Sequence, residues 1–343
     1  MNKESDVQIK YKNEINYLIK KLDTCNSKLI IYGFNDLGYF IYQTFKNRVI
    51  DIVDKEKQSE IIDNISIKSI ENFDYNPNDI FVITAINNIA NKEIRKTIIS
   101  KFSDEAKIFS INDYYFDKTD NMARYCPICE THSNYFKSFG FVPRNDALCP
   151  NCGSLERHRL SWLFLKDKLR KEDIKDKRML HIAPEKIFME KFTNLFKENY
   201  LTADLYDKNA KIKMDITNIE YPKESFNYIY CSHVLEHIQD DKKAMRELNR
   251  VLKKDGWAIL LVPIMTKGPT EEDHLINTPT ERMKHYGHPD HVRNYGCDYK
   301  ERLEESGWEV EVIYAEDFLT PKEIELMGIT KAAGEIYFCT KKR

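Results

Sequence analysis

Short apolar runs alternate with longer amphipathic segments in two separate parts of the chain. In the first part, four apolar runs predict buried strands, at 28–34, 49–54, 79–84 and 107–111. In the second part, six further runs predict strands, at 179–183, 200–205, 225–232, 257–264, 308–315 and 334–340. The amphipathic segments predict helices, including one over 35–45 that Asn35 or Asp36 would cap. Strands that alternate with helices at this spacing predict an α/β protein with two parallel sheets.

Length and local composition predict three regions. The 343 residues exceed a usual single domain, so two or three units are expected. Residues 121–153 are rich in Cys, Pro, Asn and Gly, unlike the patterns on either side. We therefore predict a domain at 1–120 that begins with a helix within residues 1–26, a small ribbon at 121–153, and a second α/β domain at 154–343.

The domain at 1–120 has the pattern of a Rossmann-like fold. Gly33 and Gly38 bracket the turn after the first strand, and Asp54 lies about 20 residues further on, where an acid would bind ribose. The middle glycine of the G-x-G-x-x-G fingerprint is absent, because Phe34 and Asn35 follow Gly33. Binding of NAD is therefore one alternative for this domain. The others are packing, formation of a homodimer and positioning of the substrate.

Composition and charge restrict the class of partner. Hydrophobic residues make up 42% of the chain and charged residues 31%, and the net charge of -2 shows no basic excess for nucleic acid. No stretch approaches the roughly 18 apolar residues of a membrane span, and the first residues lack the apolar region of a signal peptide. We expect a cytoplasmic protein that acts on a small molecule, without a nucleic acid or a membrane as partner.

Four of the eight cysteines form a metal-binding pattern. Cys126 and Cys129 make one C-x-x-C pair, Cys149 and Cys152 make a second, and 19 residues separate the two pairs. This spacing is typical of a four-thiolate zinc ribbon, in which each pair places two sulfurs on one tight turn. Four protein ligands leave no open position, so we expect a structural Zn²⁺. A redox pair and an iron–sulfur cluster are the alternatives.

Three motifs lie at the start of the predicted second domain or within it, namely CPNCGSLERHR at 149–159, HIAPE at 181–185 and DHVRNYG at 290–296. With the strand order and the HVLEH segment, they resemble class I S-adenosylmethionine-dependent methyltransferases. More narrowly, they resemble a bacterial branch in which a zinc ribbon precedes an HxAPE turn and a DHVRxYG segment follows. The resemblance covers about residues 124–340. It implies a doubly wound sheet of seven strands, S-adenosylmethionine at their carboxyl ends, and an association with surface-carbohydrate biosynthesis.

The resemblance also implies which residues contact the cofactor. Asp204 would accept hydrogen bonds from the ribose hydroxyls, and Asp215 and Ile216 would hold the adenine. Glu185 would meet the cofactor's ammonium group or favour the start of the next helix, whose first residue would be Pro184. The complete predicted set is His181, Ala183, Glu185, Asp204, Leu205, Asp215, Ile216, Ser232 and His233.

Histidines after the fourth and fifth strands are candidates for proton transfer, because the pKa of imidazole lies near physiological pH. The predicted catalytic residues are His237, His233 and His291. The polar loop 265–296 contains further histidines together with Arg282 and Arg293. These side chains would suit an anionic or nucleotide-linked acceptor, and a solvated surface is the alternative. The spacing of the loop histidines does not specify a metal site.

These observations predict methyl transfer from S-adenosylmethionine to a sugar, a nucleotide-linked sugar or another precursor of a surface polysaccharide. Transfer to oxygen is favoured. An NAD-dependent nucleotide-sugar oxidoreductase is one alternative function. A non-catalytic zinc-ribbon adaptor is the other, because the turn at Ala183 lacks the glycines typical of the superfamily.

Overall fold

A computed structural model describes residues 6–117, 123–140 and 142–342. The chain forms two compact units, Met1–Tyr125 with Thr131–Cys152, and Cys126–Glu130 with Gly153–Arg343. The predicted domain boundary at residues 120 and 121 lies outside the described residues, so the division into three domains stays a prediction. In the described part of the chain, no helix combines the length and apolar character that a membrane crossing requires.

Up to residue 148, the chain forms five helices and ten strands among the described residues. In chain order they are α1 (Asp6–Lys10), α2 (Lys12–Asp23), β1 (Leu29–Tyr32), α3 (Asp36–Thr44), β2 (Val49–Val53), β3 (Ile61–Ile62), β4 (Ile65–Lys68), β5 (Ile80–Ile83), α4 (Asn88–Lys101), β6 (Lys107–Ser110), α5 (Asp113–Phe116), β7 (Arg124–Cys126), β8 (Thr131–Ser133), β9 (Lys137–Phe139) and β10 (Arg144–Leu148). The four predicted strands of this region are present as β1, β2, β5 and β6.

The first sheet has six strands in the order β3-β4-β2-β1-β5-β6, and all neighbours are parallel except β3 and β4. Both of its faces are covered, because Leu29 and Ile31 lie in one apolar cluster whereas Ile30 and Tyr32 lie in another. A strand buried on both faces reads as a continuous apolar run, which is the pattern at 28–34. The Asn35 side chain caps α3 by accepting the Gly38 N–H, as the sequence predicts.

The second unit carries the remaining helices and strands of the described chain. They are α6 (Glu156–Arg170), β11 (Met179–Ile182), α7 (Lys186–Phe196), β12 (Tyr200–Asp204), β13 (Ile212–Lys213), β14 (Phe226–Ser232), α8 (Asp241–Val251), β15 (Leu252–Leu261), β16 (Glu271–Glu272), α9 (Pro279–Tyr286), β17 (Arg293–Asn294), α10 (Tyr299–Glu305), β18 (Trp308–Ile313), α11 (Pro321–Leu326) and β19 (Ile336–Lys341). The prediction that Pro184 begins a helix is wrong, since α7 begins at Lys186 with Glu185 as its N-cap.

The second sheet has seven strands in the order β13-β12-β11-β14-β15-β19-β18, and all neighbours are parallel except the pairs β15–β19 and β19–β18. Ile182 on β11 pairs with Ala203 on β12 and with Cys231 on β14. The three central strands therefore end at one level. The residues that follow, Ala183, Asp204 and Ser232, share one edge of the sheet, where open α/β sheets bind their ligands.

Candidate functional site

A cavity of about 560 Å³ opens at the carboxyl ends of β11, β12 and β14. This volume is within the range of small-molecule sites. The lining residues come from the strand ends and from the loop that follows β15. They are Ile182, Ala183, Asp204, Leu205, Tyr206, Met214, Asp215, Ile216, His233, Val234, His237, Ile238, Arg282 and Asp290. Six of the nine predicted cofactor contacts, Ala183, Asp204, Leu205, Asp215, Ile216 and His233, are therefore brought together here.

Two of the strands end in left-handed backbone. Ala183 has φ 45° and His233 has φ 55°, which are values that residues other than glycine seldom adopt. Such backbone costs about 1–3 kcal/mol and is concentrated at functional turns. The turn after β11 therefore has the left-handed backbone that favours glycine, although its sequence contains no glycine. Ala183 takes the left-handed conformation with the smallest side chain that carries a Cβ.

Asp204 ends β12 and presents a carboxylate to the cavity. Its Oδ1 accepts the backbone N–H groups of Tyr206 at 2.6 Å and Asp207 at 2.7 Å. These bonds fix the side chain in one orientation. Among the described residues, Oδ2 accepts no hydrogen bond, so it is the oxygen available to a pair of hydroxyl groups.

Asp215 and Ile216 lie on the same wall. Asp215 Oδ1 accepts the N–H and the hydroxyl of Thr217, both at 2.8 Å, so this side chain also stabilises its own turn. Sequence reasoning missed Tyr206, which lines the cavity with 87% of its surface exposed. Its position two residues after the strand-end Asp204 was a usable signal, because an exposed aromatic ring there could cover a bound base.

Glu185 does not line the cavity. Its Oε1 accepts hydrogen bonds from His158 Nε2 at 2.7 Å and Arg157 Nη2 at 3.0 Å. Burial alone would raise the pKa of Glu185, but His158 and Arg157 together lower it to about 2. His158 Nδ1 accepts the Leu155 N–H, so the neutral imidazole donates from Nε2. The ion pair links the LERHR segment to the start of α7, and a contact with a cofactor ammonium stays a prediction.

His181 and Ser232 lie behind the cavity wall. The His181 side chain is fully buried, with Nδ1 at 2.7 Å from the Tyr200 hydroxyl and Nε2 accepting the Glu185 N–H at 3.3 Å. It therefore braces the turn that follows β11. Ser232 is 4% exposed, and its hydroxyl has no hydrogen-bond partner in the described chain.

Stability should fall in mild acid because of His181. Burial lowers the pKa of His181 from 6.5 to about 4. Between these values the unfolded imidazole is protonated and the folded one is not, so the free energy of unfolding decreases as the pH drops from about 6.5 to about 4. The contribution of this one group is about 3 kcal/mol. Denaturant titrations over that pH range should show a shallower dependence in His181→Gln than in the wild type.

An exposed histidine provides the control for that measurement. His274→Gln changes an exposed side chain in the loop 265–296, so the stability of this variant should follow pH as that of the wild type does. An identical pH dependence of His181→Gln and wild type would rule out His181 as the source.

The three predicted catalytic histidines lie near one another. His233 Nδ1 is 3.3 Å from Glu236 Oε1, and both His233 and His237 line the cavity. The His291 ring lies 4.8 Å from the His237 ring, centroid to centroid, and does not line the cavity. Burial lowers the pKa of His291 to about 4, against the opposing effect of Glu236, so its imidazole is neutral at physiological pH.

Of the two arginines in the loop 265–296 that the sequence offers to an anionic acceptor, only Arg282 lines the cavity. Arg293 is 2% exposed and donates to the backbone carbonyls of Leu235 at 2.9 Å, Ile238 at 2.5 Å and Gln239 at 2.9 Å. The prediction that Arg293 binds an anionic acceptor is therefore wrong, because these bonds and an ion pair with Glu272 occupy the guanidinium. Arg282 does line the cavity, with a buried Nε that has no hydrogen-bond partner among the described residues.

The remaining residues of DHVRNYG hold the same wall. The Val292 N–H donates to the Glu236 carbonyl at 2.9 Å, and the Tyr295 hydroxyl donates to Asp241 at 2.5 Å. Gly296 admits no side chain, because a Cβ there would lie 2.1 Å from the Gly268 carbonyl oxygen. The motif thus attaches the loop to the turn that follows β14.

The cysteine pattern forms two turns. In the first, the Glu130 N–H donates to the Cys126 carbonyl at 2.8 Å, and Cys126 Sγ lies 3.2 Å from the Ser154 hydroxyl. Cys126 and Cys129 belong to the second compact unit, and Cys149 and Cys152 belong to the first. The spacing of the two pairs in the sequence suits a four-thiolate zinc ion, and this site stays a prediction.

In the N-terminal unit, the Asp54 carboxylate accepts hydrogen bonds from backbone N–H groups. Its carboxylate accepts the N–H groups of Phe34 at 2.7 Å, Glu56 at 2.8 Å and Lys57 at 3.1 Å. Burial raises the pKa of Asp54, but these hydrogen bonds outweigh burial and the pKa is lowered. Both oxygens are therefore engaged, which argues against a ribose site at Asp54 and favours the structural alternatives for this unit.

The comparison with known families supplies the decisive observation. Residues 182–260 match the family model described as "Methyltransferase domain". This segment of the chain is therefore similar to a methyltransferase domain. An uncharacterized methyltransferase of Bacillus subtilis (strain 168), YcgJ, is 32% identical to the chain over 76 residues, which are 22% of this chain and 28% of YcgJ. The chain thus matches less than a third of the length of that relative.

Solved structures of methyltransferases are also similar to part of this chain. A Mesorhizobium loti S-adenosylmethionine-dependent methyltransferase is 14% identical, with 52% of this chain and 97% of that chain covered and a TM-score of 0.36. The Burkholderia thailandensis 1,6-didemethyltoxoflavin-N1-methyltransferase, with 1,6-didemethyltoxoflavin and S-adenosylhomocysteine bound, is 11% identical, with 55% and 79% covered and a TM-score of 0.36. The similarity to the methyltransferase family therefore rests on the matched segment 182–260.

Proposed function

We propose that the protein transfers a methyl group from S-adenosylmethionine, bound in the 560 Å³ cavity, to a small-molecule acceptor. The observation that carries this proposal is the position of Asp204, at the end of β12 inside the segment that matches the methyltransferase family. Its free Oδ2 would bind the ribose, while Asp215 and Ile216 would hold the adenine. S-adenosylmethionine supplies an electrophilic methyl group on a sulfonium.

Transfer to a hydroxyl requires a group that takes the acceptor proton, and His233 is the best placed. Its imidazole lines the cavity, and Glu236 lies 3.3 Å from Nδ1 on the other side of the ring. A carboxylate beside Nδ1 favours the tautomer with a proton there, which leaves Nε2 able to accept one. Alignment of donor and acceptor in the cavity supplies the rest of the acceleration, since methyl transfer is a direct displacement.

The acceptor class proposed here is a sugar, a nucleotide-linked sugar or another precursor of a surface polysaccharide. Arg282 supports an anionic group on the acceptor, because its buried Nε lines the cavity without a hydrogen-bond partner in the described chain. A guanidinium binds phosphate through paired N–H groups. Arg282→Met should therefore raise the KM for a charged acceptor more than the KM for a neutral one.

Calorimetry and a transfer assay test the proposed function. S-adenosylmethionine should bind the full chain with one site, and NAD should show no heat of binding. Label from the methyl group should then appear in one member of a panel of sugars, sugar phosphates and nucleotide sugars. If neither cofactor binds, the proposed function is refuted, and binding of NAD alone would favour the oxidoreductase.

The four cysteines are proposed to hold a structural Zn²⁺, which would supply folding energy and no chemistry to the reaction. Replacing Cys149 with Ser should remove about one zinc per chain and lower the thermal midpoint, because a small ribbon has little apolar core. Zinc measured by mass spectrometry after gel filtration checks this expectation. Cys297→Ser is the matched control, because Cys297 is exposed and outside the cluster. Equal zinc in both variants would contradict the ribbon.

A further inference from the structure

Three histidines from two segments converge beside the cavity. His237 ends the turn after β14, whereas His288 and His291 lie in the loop after α9. One ligand nitrogen of each lies within 4.8 Å of those of the other two. Zinc bonds of about 2.0–2.1 Å to imidazole place tetrahedral nitrogens about 3.4 Å apart. Small rotations of the three rings would therefore bring them to the distance of metal ligands.

The hydrogen bonds of two rings suit metal binding. His237 Nδ1 lies 3.2 Å from the Asp290 carbonyl oxygen, so an N–H there leaves the Nε2 lone pair free. Imidazoles that bind metals commonly donate their other N–H to a backbone carbonyl. His291 Nδ1 is buried and has no hydrogen-bond partner in the described chain. His288 Nδ1 accepts the Asp290 N–H at 3.2 Å, a contact that a metal would displace.

Glu236, which precedes His237 in the chain, is a buried carboxylate whose charge acts on His291. Glu236 is 1% exposed, and neither of its oxygens has a hydrogen-bond partner in the described chain. His233 Nδ1 lies 3.3 Å from its Oε1. An ionised carboxylate without compensation is costly to bury. A divalent ion bound next to Glu236 would offset this cost.

The backbone around the cluster is held in place. Val292, next to His291, donates its N–H to the Glu236 carbonyl at 2.9 Å. Arg293 donates to three carbonyls of the turn that carries His237. The two segments are thus joined by backbone and side-chain hydrogen bonds, which is the support that a ligand set needs.

We propose that His237, His288 and His291 bind a divalent transition-metal ion, Zn²⁺ or a metal of similar ligand preference. Imidazole suits these metals, and three protein ligands leave at least one coordination position open. Because His237 and Asp290 belong to the cavity wall, the ion lies at the edge of the site where the acceptor must enter. The open position takes the acceptor oxygen. This second part of the proposal rests on the proposed methyl transfer.

The step balances without a change in the oxidation state of the metal. The ion lowers the pKa of the bound hydroxyl, and its proton passes to His233. The oxygen forms a bond to the methyl carbon, and the carbon–sulfur bond breaks with its electron pair on sulfur, which yields S-adenosylhomocysteine. His237 and His291 are then metal ligands, and their predicted role as bases is replaced.

Metal counting on the full chain tests the first part. The wild type should hold two zinc ions per chain, and a His288→Ala/His291→Ala variant should hold one. His274→Ala/His285→Ala removes two exposed histidines of the same loop and should still hold two. Cobalt added to fill the histidine site should give visible absorption without the sulfur-to-cobalt charge transfer of a thiolate site. Equal metal content in the wild type and the His288/His291 variant would overturn the site.

The role in transfer has a separate readout. The His288/His291 variant should bind S-adenosylmethionine with the affinity of the wild type, because neither side chain lines the cavity. Its kcat for the acceptor should fall at least 100-fold. A variant that loses one metal and keeps its kcat would overturn the role in transfer and leave the proposed methyltransferase function standing. A failure of S-adenosylmethionine to bind even the wild type would refute the proposed function, while the metal count would still decide the site.

Discussion

Asp204→Asn should weaken the binding of S-adenosylmethionine by about 100-fold. The substitution keeps an oxygen that can accept the Tyr206 and Asp207 N–H groups, so the turn after β12 should persist. It removes the negative charge from the oxygen proposed to receive both ribose hydroxyls. Each charge-assisted hydrogen bond is worth about 1.5–3 kcal/mol, and a loss of about 3 kcal/mol in total corresponds to about 100-fold in Kd. Isothermal titration with S-adenosylmethionine measures this change directly.

Two further variants distinguish loss of the Asp204 charge from loss of the turn that Asp204 stabilises. Asp204→Ala also removes the acceptor of the two N–H groups, so its loss of affinity should exceed that of Asp204→Asn. Asp207→Ala changes an exposed neighbour whose carboxylate accepts the Asn209 N–H and does not line the cavity. This variant should bind S-adenosylmethionine with the affinity of the wild type. Wild-type affinity in Asp204→Asn would refute the assignment of the ribose site.

Arg293→Met should lower the free energy of unfolding by about 4 kcal/mol. The side chain is buried, and its loss would leave the carbonyls of Ile238 and Gln239 without this donor, while the Leu235 carbonyl would keep the Ile238 N–H. Removal of one member of a buried charge network typically costs about 3–5 kcal/mol. For a unit of this size, that corresponds to a decrease in Tm of about 10 °C. Differential scanning calorimetry of the full chain measures it.

Arg293→Lys tests whether geometry or charge matters. Lysine keeps the charge but lacks the planar set of N–H donors that reaches three carbonyls at once. Most of the decrease in the free energy of unfolding should therefore remain. Arg246→Met, on the exposed side of α8, is the matched control and should change Tm by less than about 1 °C. If Arg293→Met were as stable as this control, the turn at 235–239 would owe nothing to the guanidinium.

The N-terminal unit illustrates where a sequence motif misleads. The spacing of Gly33, Gly38 and Asp54 resembles a dinucleotide site, and the glycines do have the expected backbone roles. Gly33 has φ 93°, and a Cβ on Gly38 would lie 2.6 Å from the Gly33 carbonyl oxygen. Asp54, however, accepts three backbone N–H groups. The pattern therefore describes how the turn folds and does not require a ligand.

The sequence by itself determined the long strands of both sheets, the cysteine pairs and the acids that end the strands of the second sheet. These features depend on local periodicity and turn chemistry, and apolar runs that are buried on both faces remain recognisable in any context. The match of Asp204, Asp215 and Ile216 to one cavity follows from parallel strands that end at one edge.

Only the tertiary structure decided the use of the histidine-rich loop. It separates the exposed His274 and His285 from His288 and His291, which meet His237 from another segment. It also buries Arg293, which the sequence presents as an acceptor ligand, and leaves Arg282 on the cavity wall. The physical reason is that these contacts depend on where the loop returns across the sheet edge, and hydrogen bonds between distant segments set that position.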